Sequence, residues 1–136
     1  MNRDFRDSLA WLAAKELFVC VDRACKRGEW RGDREFNRSL RAGALAVADC
    51  IAKAHPMELP DYEFQYYCEA KAELRGVESA VELGREWQEK AVCDKILKAC
   101  DKCAHEISKH LSECEARRAA FQKLDELNDA PADGSI

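Results

Sequence analysis

Six residues in the last third of the chain have the types and rough spacing of a metal site: Cys93, Cys100, Cys103, His105, His110 and Cys114. Thiolate and imidazole are the usual ligands of a closed tetrahedral zinc site, and a Cys-x-x-Cys pair followed by histidines is one way to supply them. The surrounding text is helical, however, and helix geometry spreads the set out. Residues seven apart on an α-helix lie about 10 Å apart along its axis, too far to share one ion. Cys93, Cys100 and Cys114 fall on one heptad position, and Cys103 and His110 on the position beside it. They read as the small residues of a packing seam, buried and reduced. The alternative is a metal held by Cys100 and Cys103 together with Cys50 or Cys68 from a neighbouring helix.

The second constellation is cationic. Between residues 23 and 41, Arg23, Lys26, Arg27, Arg31, Arg34, Arg38 and Arg41 stand against Glu29, Asp33 and Glu35. The arginine fork suits phosphate, and Trp30 lies among these residues as a platform on which a base would stack. The candidate nucleic-acid-binding residues are therefore Arg27, Trp30, Arg31, Arg34, Arg38 and Arg41. So few charges on one protomer would bind weakly and lose affinity with salt, whereas copies arrayed in an oligomer multiply the effect. The plain alternative is a solvated loop, and the net charge of -4 argues against a dedicated nucleic-acid binder.

Catalysis finds no foothold in the sequence. It has no glycine-rich phosphate loop, no HExxH and no GxSxG, and its three histidines have no carboxylate or nucleophile at a fixed spacing. The Glu-x-x-His repeats of a di-iron bundle are also missing. The expectation is a non-enzymatic protein with no cofactor.

The elements that must position these groups are helices. A chain of 136 residues with six glycines and three prolines, rich in Ala, Glu, Lys and Leu, is long enough for one domain and reads as nearly all helix. No apolar run approaches the roughly 20 residues of a membrane span. No stretch resembles a signal peptide, so a cytoplasmic protein with no membrane partner is expected. Eight cysteines inside amphipathic text fit reduced thiols better than disulfides.

The first helix is expected from Asp4 to Lys26, with two apolar stripes that make its arc wide. That surplus marks Trp11 and Phe18 as candidate oligomer-interface residues. A loop from Arg27 to Asp33 follows, and Asp33 is a good N-cap for a second helix from Arg34 to Ala54. Its stripe of Phe36, Leu40, Val47 and Ile51, with Gly43 and Ala44, faces a core; Pro56 ends it. A third helix is expected from Asp61 to Glu86, with Pro60 near its first turn. A fourth, from Gln88 to Leu127, would reach about 60 Å, so it either overhangs the bundle or breaks where Ser112 and Glu115 form a capping-box pattern. Residues 1–128 form the bundle and 129–136 a flexible tail. The fold class is all-α, an up-down-up-down four-helix bundle with a long or broken C-terminal helix.

The order of these features resembles a family of small bacterial four-helix-bundle proteins. Its members are encoded in intervening sequences of 23S ribosomal RNA genes, or serve as the accessory variability determinant of diversity-generating retroelements. Its second helix typically reads like LRRAAVSIPSNIAEG; residues 40–54 here, LRAGALAVADCIAKA, share Leu40, Arg41, Ala44, Ile51 and Ala52. Its third helix carries a pattern like ARGSLAELETQL; residues 70–81, AKAELRGVESAV, keep Ala70, Leu74 and Glu78. Trp11 sits where the family often has a first-helix tryptophan. The chain departs from the family at Ala48, which replaces a proline, at Lys53 and Ala54, which replace Glu-Gly, and in residues 112–136, which run past the usual end. The resemblance implies a homo-oligomeric ring, most often a pentamer, and in the retroelement branch a basic surface that binds a reverse transcriptase and RNA or an RNA/DNA hybrid. A structural oligomer of the ribosomal type without a nucleic-acid role, or a Cys-rich metal-binding bundle, are the rival expectations.

Overall fold

The computed structural model describes residues 4–55 and 59–129, and it is a four-helix bundle. Its helices are α1 (Leu9–Lys26), α2 (Arg34–Ala54), α3 (Pro60–Gly84) and α4 (Lys90–Asp129). Each packs on its neighbours in the cyclic order α1, α2, α3, α4, and no Cα atoms of the diagonal pairs come within 8 Å of each other among the described residues. Successive helices run antiparallel, the up-down-up-down arrangement.

The helix starts follow local chemistry. The expected start of α1 at Asp4 is replaced by a 3₁₀ turn, Phe5–Asp7, whose Asp4 Oδ1 accepts from Arg6 N at 2.9 Å. Ser8 then caps α1 proper, its hydroxyl accepting from Trp11 N at 3.3 Å. Gly28, with φ of 71°, takes the left-handed conformation that releases the chain after α1. Asp33 caps α2 as expected, accepting from Phe36 N at 2.7 Å, and Pro60 opens α3 where its missing N–H costs nothing.

The last two helices differ from expectation in ways that matter for the site. Helix α3 stops at Gly84, not Glu86, because the next residues turn back: Trp87 N and Gln88 N both donate to Gly84 O at 3.0 Å. Helix α4 begins at Lys90 because the side chain of Gln88 is drawn inward. It does not break at Ser112, which is an exposed mid-helix residue. The flanking residues Ile107 and Cys114 stay buried in register, so packing overrides the capping pattern. Asn128 and Asp129 belong to α4, while the rest of the expected tail, 130–136, lies outside the described residues, as does the Pro56–Glu58 part of the second loop.

The core is narrow because its residues are small. Ala10, Ala14, Ala44, Ala70, Cys100 and Cys103 are fully buried at the centre, with Leu17, Val47, Ile51, Leu74, Ile96 and Ile107 filling between them. Small side chains let helix backbones approach closely. One close approach is at the end of α3, where a Cβ on Gly84 would lie 2.8 Å from Cη2 of Trp30. Gly84→Ala is therefore expected to destabilise the fold by about 1–3 kcal/mol through overpacking, measured as a lower midpoint in urea.

Candidate nucleic-acid interface and the cysteine seam

The arginine edge lies at the end of the bundle where the first and third loops meet. These loops are laced together by side chains of the third. The Gln88 amide brackets the Arg31 peptide: its Oε1 accepts from Arg31 N at 2.7 Å and its Nε2 donates to Arg31 O. Trp87 Nε1 donates to the same carbonyl at 2.9 Å. The backbone at Arg31 is thus fixed from outside its own loop.

Trp30 is not available to a base. It is 1% exposed, its ring stacks on Phe36 at 6.0 Å and 9° between planes, and Gly84 closes over its edge. Trp30 N donates to Ala24 O at 3.0 Å, which folds the loop back over the end of the core and drives the indole inward. The reading of Trp30 as a stacking platform is corrected: it is the plug of the bundle. The aromatic ring open at this edge is Trp87, 50% exposed and set edge-on to Phe36. The sequence held a signal for it, since a tryptophan directly follows the turn after Gly84 at the same end as the RGEWRGD loop.

The arginines separate into two groups. Arg41 ties α2 to α1, its Nη2 2.8 Å from Asp22 Oδ1. The hydrogen bond from Lys26 and the charges of Lys26 and Arg41 hold the Asp22 carboxyl below its usual range. Arg27 and Arg31 are exposed but faced at 4.0 and 3.9 Å by Glu29 and Glu89, pairs that are worth little in water. Arg34 and Arg38, one turn apart on the first part of α2, are exposed and have no ion pair among the described residues. The edge therefore offers two unpaired guanidinium groups, two loosely paired ones and one half-exposed indole.

Trp11 and Phe18, expected at an oligomer interface, are half-buried against the core. Trp11 meets Phe5 edge-on at 5.1 Å. The large apolar side chains that α1 leaves to solvent are Leu9 and Leu12, on a different flank of the helix.

The cysteines form a seam. Cys93, Cys100, Cys103 and Cys114 are fully buried along the core face of α4, His105 is exposed, and all eight cysteines are free thiols. Burial pushes the Cys100 and Cys103 thiols up to about 12, helped by the nearby carboxylates Glu78 and Glu106 respectively. Burial, with Glu63, pushes Cys114 up to about 11. Such thiols hold their protons at neutral pH, which suits packing and disfavours metal ligation or nucleophilic attack. Among the described residues no group of three or more His, Cys, Asp or Glu is gathered to hold a metal ion.

At the opposite end of the bundle, Tyr67 lies between two histidines. Its hydroxyl is 2.9 Å from His55 Nε2, and its ring stacks on His110 at 4.7 Å. Burial raises the Tyr67 phenol above its usual range, so it stays protonated. Beside it Arg117 Nη2 meets the buried Glu63 at 2.7 Å. Among the described residues no helix is long and apolar enough to cross a membrane. Compared with known protein families, with curated proteins and with solved structures, the chain has no match.

Proposed function

We propose that this chain is a non-enzymatic, homo-oligomeric bundle that serves as an adaptor for a reverse transcriptase and its RNA, like the retroelement accessory proteins it resembles. The observation that carries the RNA part is the pair Arg34 and Arg38, exposed and unpaired among the described residues, with the half-exposed indole of Trp87 at the same end of the bundle. Guanidinium groups one turn apart suit consecutive phosphates, and an open indole suits an unpaired base. Self-association is supported by Leu9 and Leu12, large apolar side chains that α1 leaves exposed. Repetition of a weak edge around an oligomer gives it useful affinity.

A specific observation favours the second reading, a structural oligomer without a nucleic-acid role. Glu29, Glu89 and Asp22 face three of the five candidate arginines, leaving only Arg34 and Arg38 of that set without an ion pair among the described residues. The readings separate in one comparison. Single-stranded RNA is titrated with wild type and with R34E/R38E at low and moderate salt, with and without the polymerase. The adaptor reading predicts binding at low salt that weakens about tenfold or more in the variant, since each lost phosphate contact forfeits its counterion release. Equal binding by the two proteins removes the edge from the account.

A further inference from the structure

Helix α4 is 40 residues long against 25 for α3. At about 1.5 Å per residue that difference exceeds 20 Å. Its core face keeps a strict heptad, Cys93, Cys100, Ile107 and Cys114 at one seam position, Ile96, Cys103 and His110 at the other. Arg117 takes the next seam position and, paired with buried Glu63, closes the last layer of the bundle. Residues 119–128 are all exposed, yet the seam continues through them. Phe121 and Leu124 hold the next two positions with Leu127 beside them, 48%, 56% and 68% exposed. A seam that keeps its period past its own partners is a coiled-coil half.

We propose that this overhang pairs with the same segment of a second copy, the two helices running antiparallel about a two-fold axis. The overhang's own sequence selects that occupant. With Phe121 set against Leu124 of the second copy, Leu127 lies over Ala120 of the second copy, a large residue on a small one. Asp125 then faces Arg118 of the second copy, and Arg117 meets Asn128 of the second copy in polar layers that bound the apolar centre. Every contact occurs twice, as an isologous interface requires. Arg118 is already held in position, its Nε donating to Asp61 at 2.7 Å and its guanidinium lying over Phe64. A parallel pair would bring both bundles to one end of the seam, where each α4 already carries α1 and α3; the antiparallel pair places them at opposite ends. The seam is shorter than a standard interface of roughly 1,200–2,000 Å², so pairing depends on concentration. It does not rest on RNA binding.

The test is the mass in solution by light scattering or sedimentation, from about 1 to about 200 μM, the range that brackets a weak interface. Wild type is expected to double its mass across that range, while F121E/L124E stays at the lower value with an unchanged far-UV circular dichroism spectrum. D125R sets like charges together and is expected to stay low, and R118E/D125R to recover the doubling. The factor of two is read whatever number of copies α1 joins, so failure of α1-mediated assembly is distinguishable. A wild-type mass that does not change, doubling by F121E/L124E, or an exchange that fails to restore pairing each overturns the proposal. So does an overhang that associates only with a different protein.

Discussion

Trp30→Ala is expected to cost about 3–5 kcal/mol and to lower the melting temperature by roughly 10–20 °C. No other described core side chain is as large, and it fills the space bounded by Phe36, Gly84 and the end of α1. Truncating it leaves a cavity that a rigid helix end and a cross-laced loop cannot collapse into. Trp87→Ala serves as the control, since half of that ring is already in water and its loss should cost far less. Trp30→Phe should fall between them. It gives up volume but also removes an indole N–H that is buried without a hydrogen-bond partner among the described residues. Thermal unfolding followed by far-UV circular dichroism ranks the three. A Trp30→Ala protein as stable as wild type would mean that the loop does not pack as described.

The second large effect concerns the thiols. With Cys100 and Cys103 pushed up to about 12, each is ionised at pH 8 to roughly one part in ten thousand, against about one in ten for a thiol at the ordinary 9.0. Ionisation alone slows their modification about a thousandfold, and full burial slows it further. A disulfide reagent should modify the exposed Cys68 at once and the buried seam only at the rate of unfolding. The same shifts fix the alkaline response. The folded state holds these protons more tightly than the unfolded chain, whose thiols titrate near 9.0. The stability they contribute is therefore fully present below about pH 9 and is lost as pH rises toward 12. C100A/C103A should be less stable at pH 7 yet lose less between pH 9 and 11. Denaturant midpoints against pH check it, and parallel curves for the two proteins would contradict it.

The elements with strong local signals were legible from the sequence. Helix α2 runs from Arg34 to Ala54 as expected because Asp33 caps it and a proline follows it two residues on. The cysteine seam was legible because the heptad spacing alone puts those residues on one face. What failed to show was set by tertiary contact. Trp30 sits in a charged, glycine-flanked loop and looks exposed; only its packing against Gly84, more than fifty residues away, makes it core. Gln88 looked like the first residue of a helix, but its amide serves the Arg31 peptide instead. The capping box at Ser112 is genuine sequence chemistry overruled by Ile107 and Cys114, which hold one continuous helix in register. For the arginine edge, types and spacing were readable while pairing was not. Asp22 lies nineteen residues before Arg41, and nothing local shows that the two meet.

These corrections narrow the functional claim. The edge loses Trp30 and Arg41, gains Trp87, and rests on Arg34 and Arg38 with support from Arg27 and Arg31. Four arginines on one protomer limit the slope of log affinity against log salt to about -3 for single-stranded RNA, at roughly 0.7 per phosphate contact. Copies arrayed on one RNA exceed that limit. The measurement that tests the adaptor account most directly is therefore the salt dependence of wild-type binding to single-stranded RNA. The account predicts a slope steeper than one protomer can supply; a slope near zero, or no binding at low salt, would contradict it.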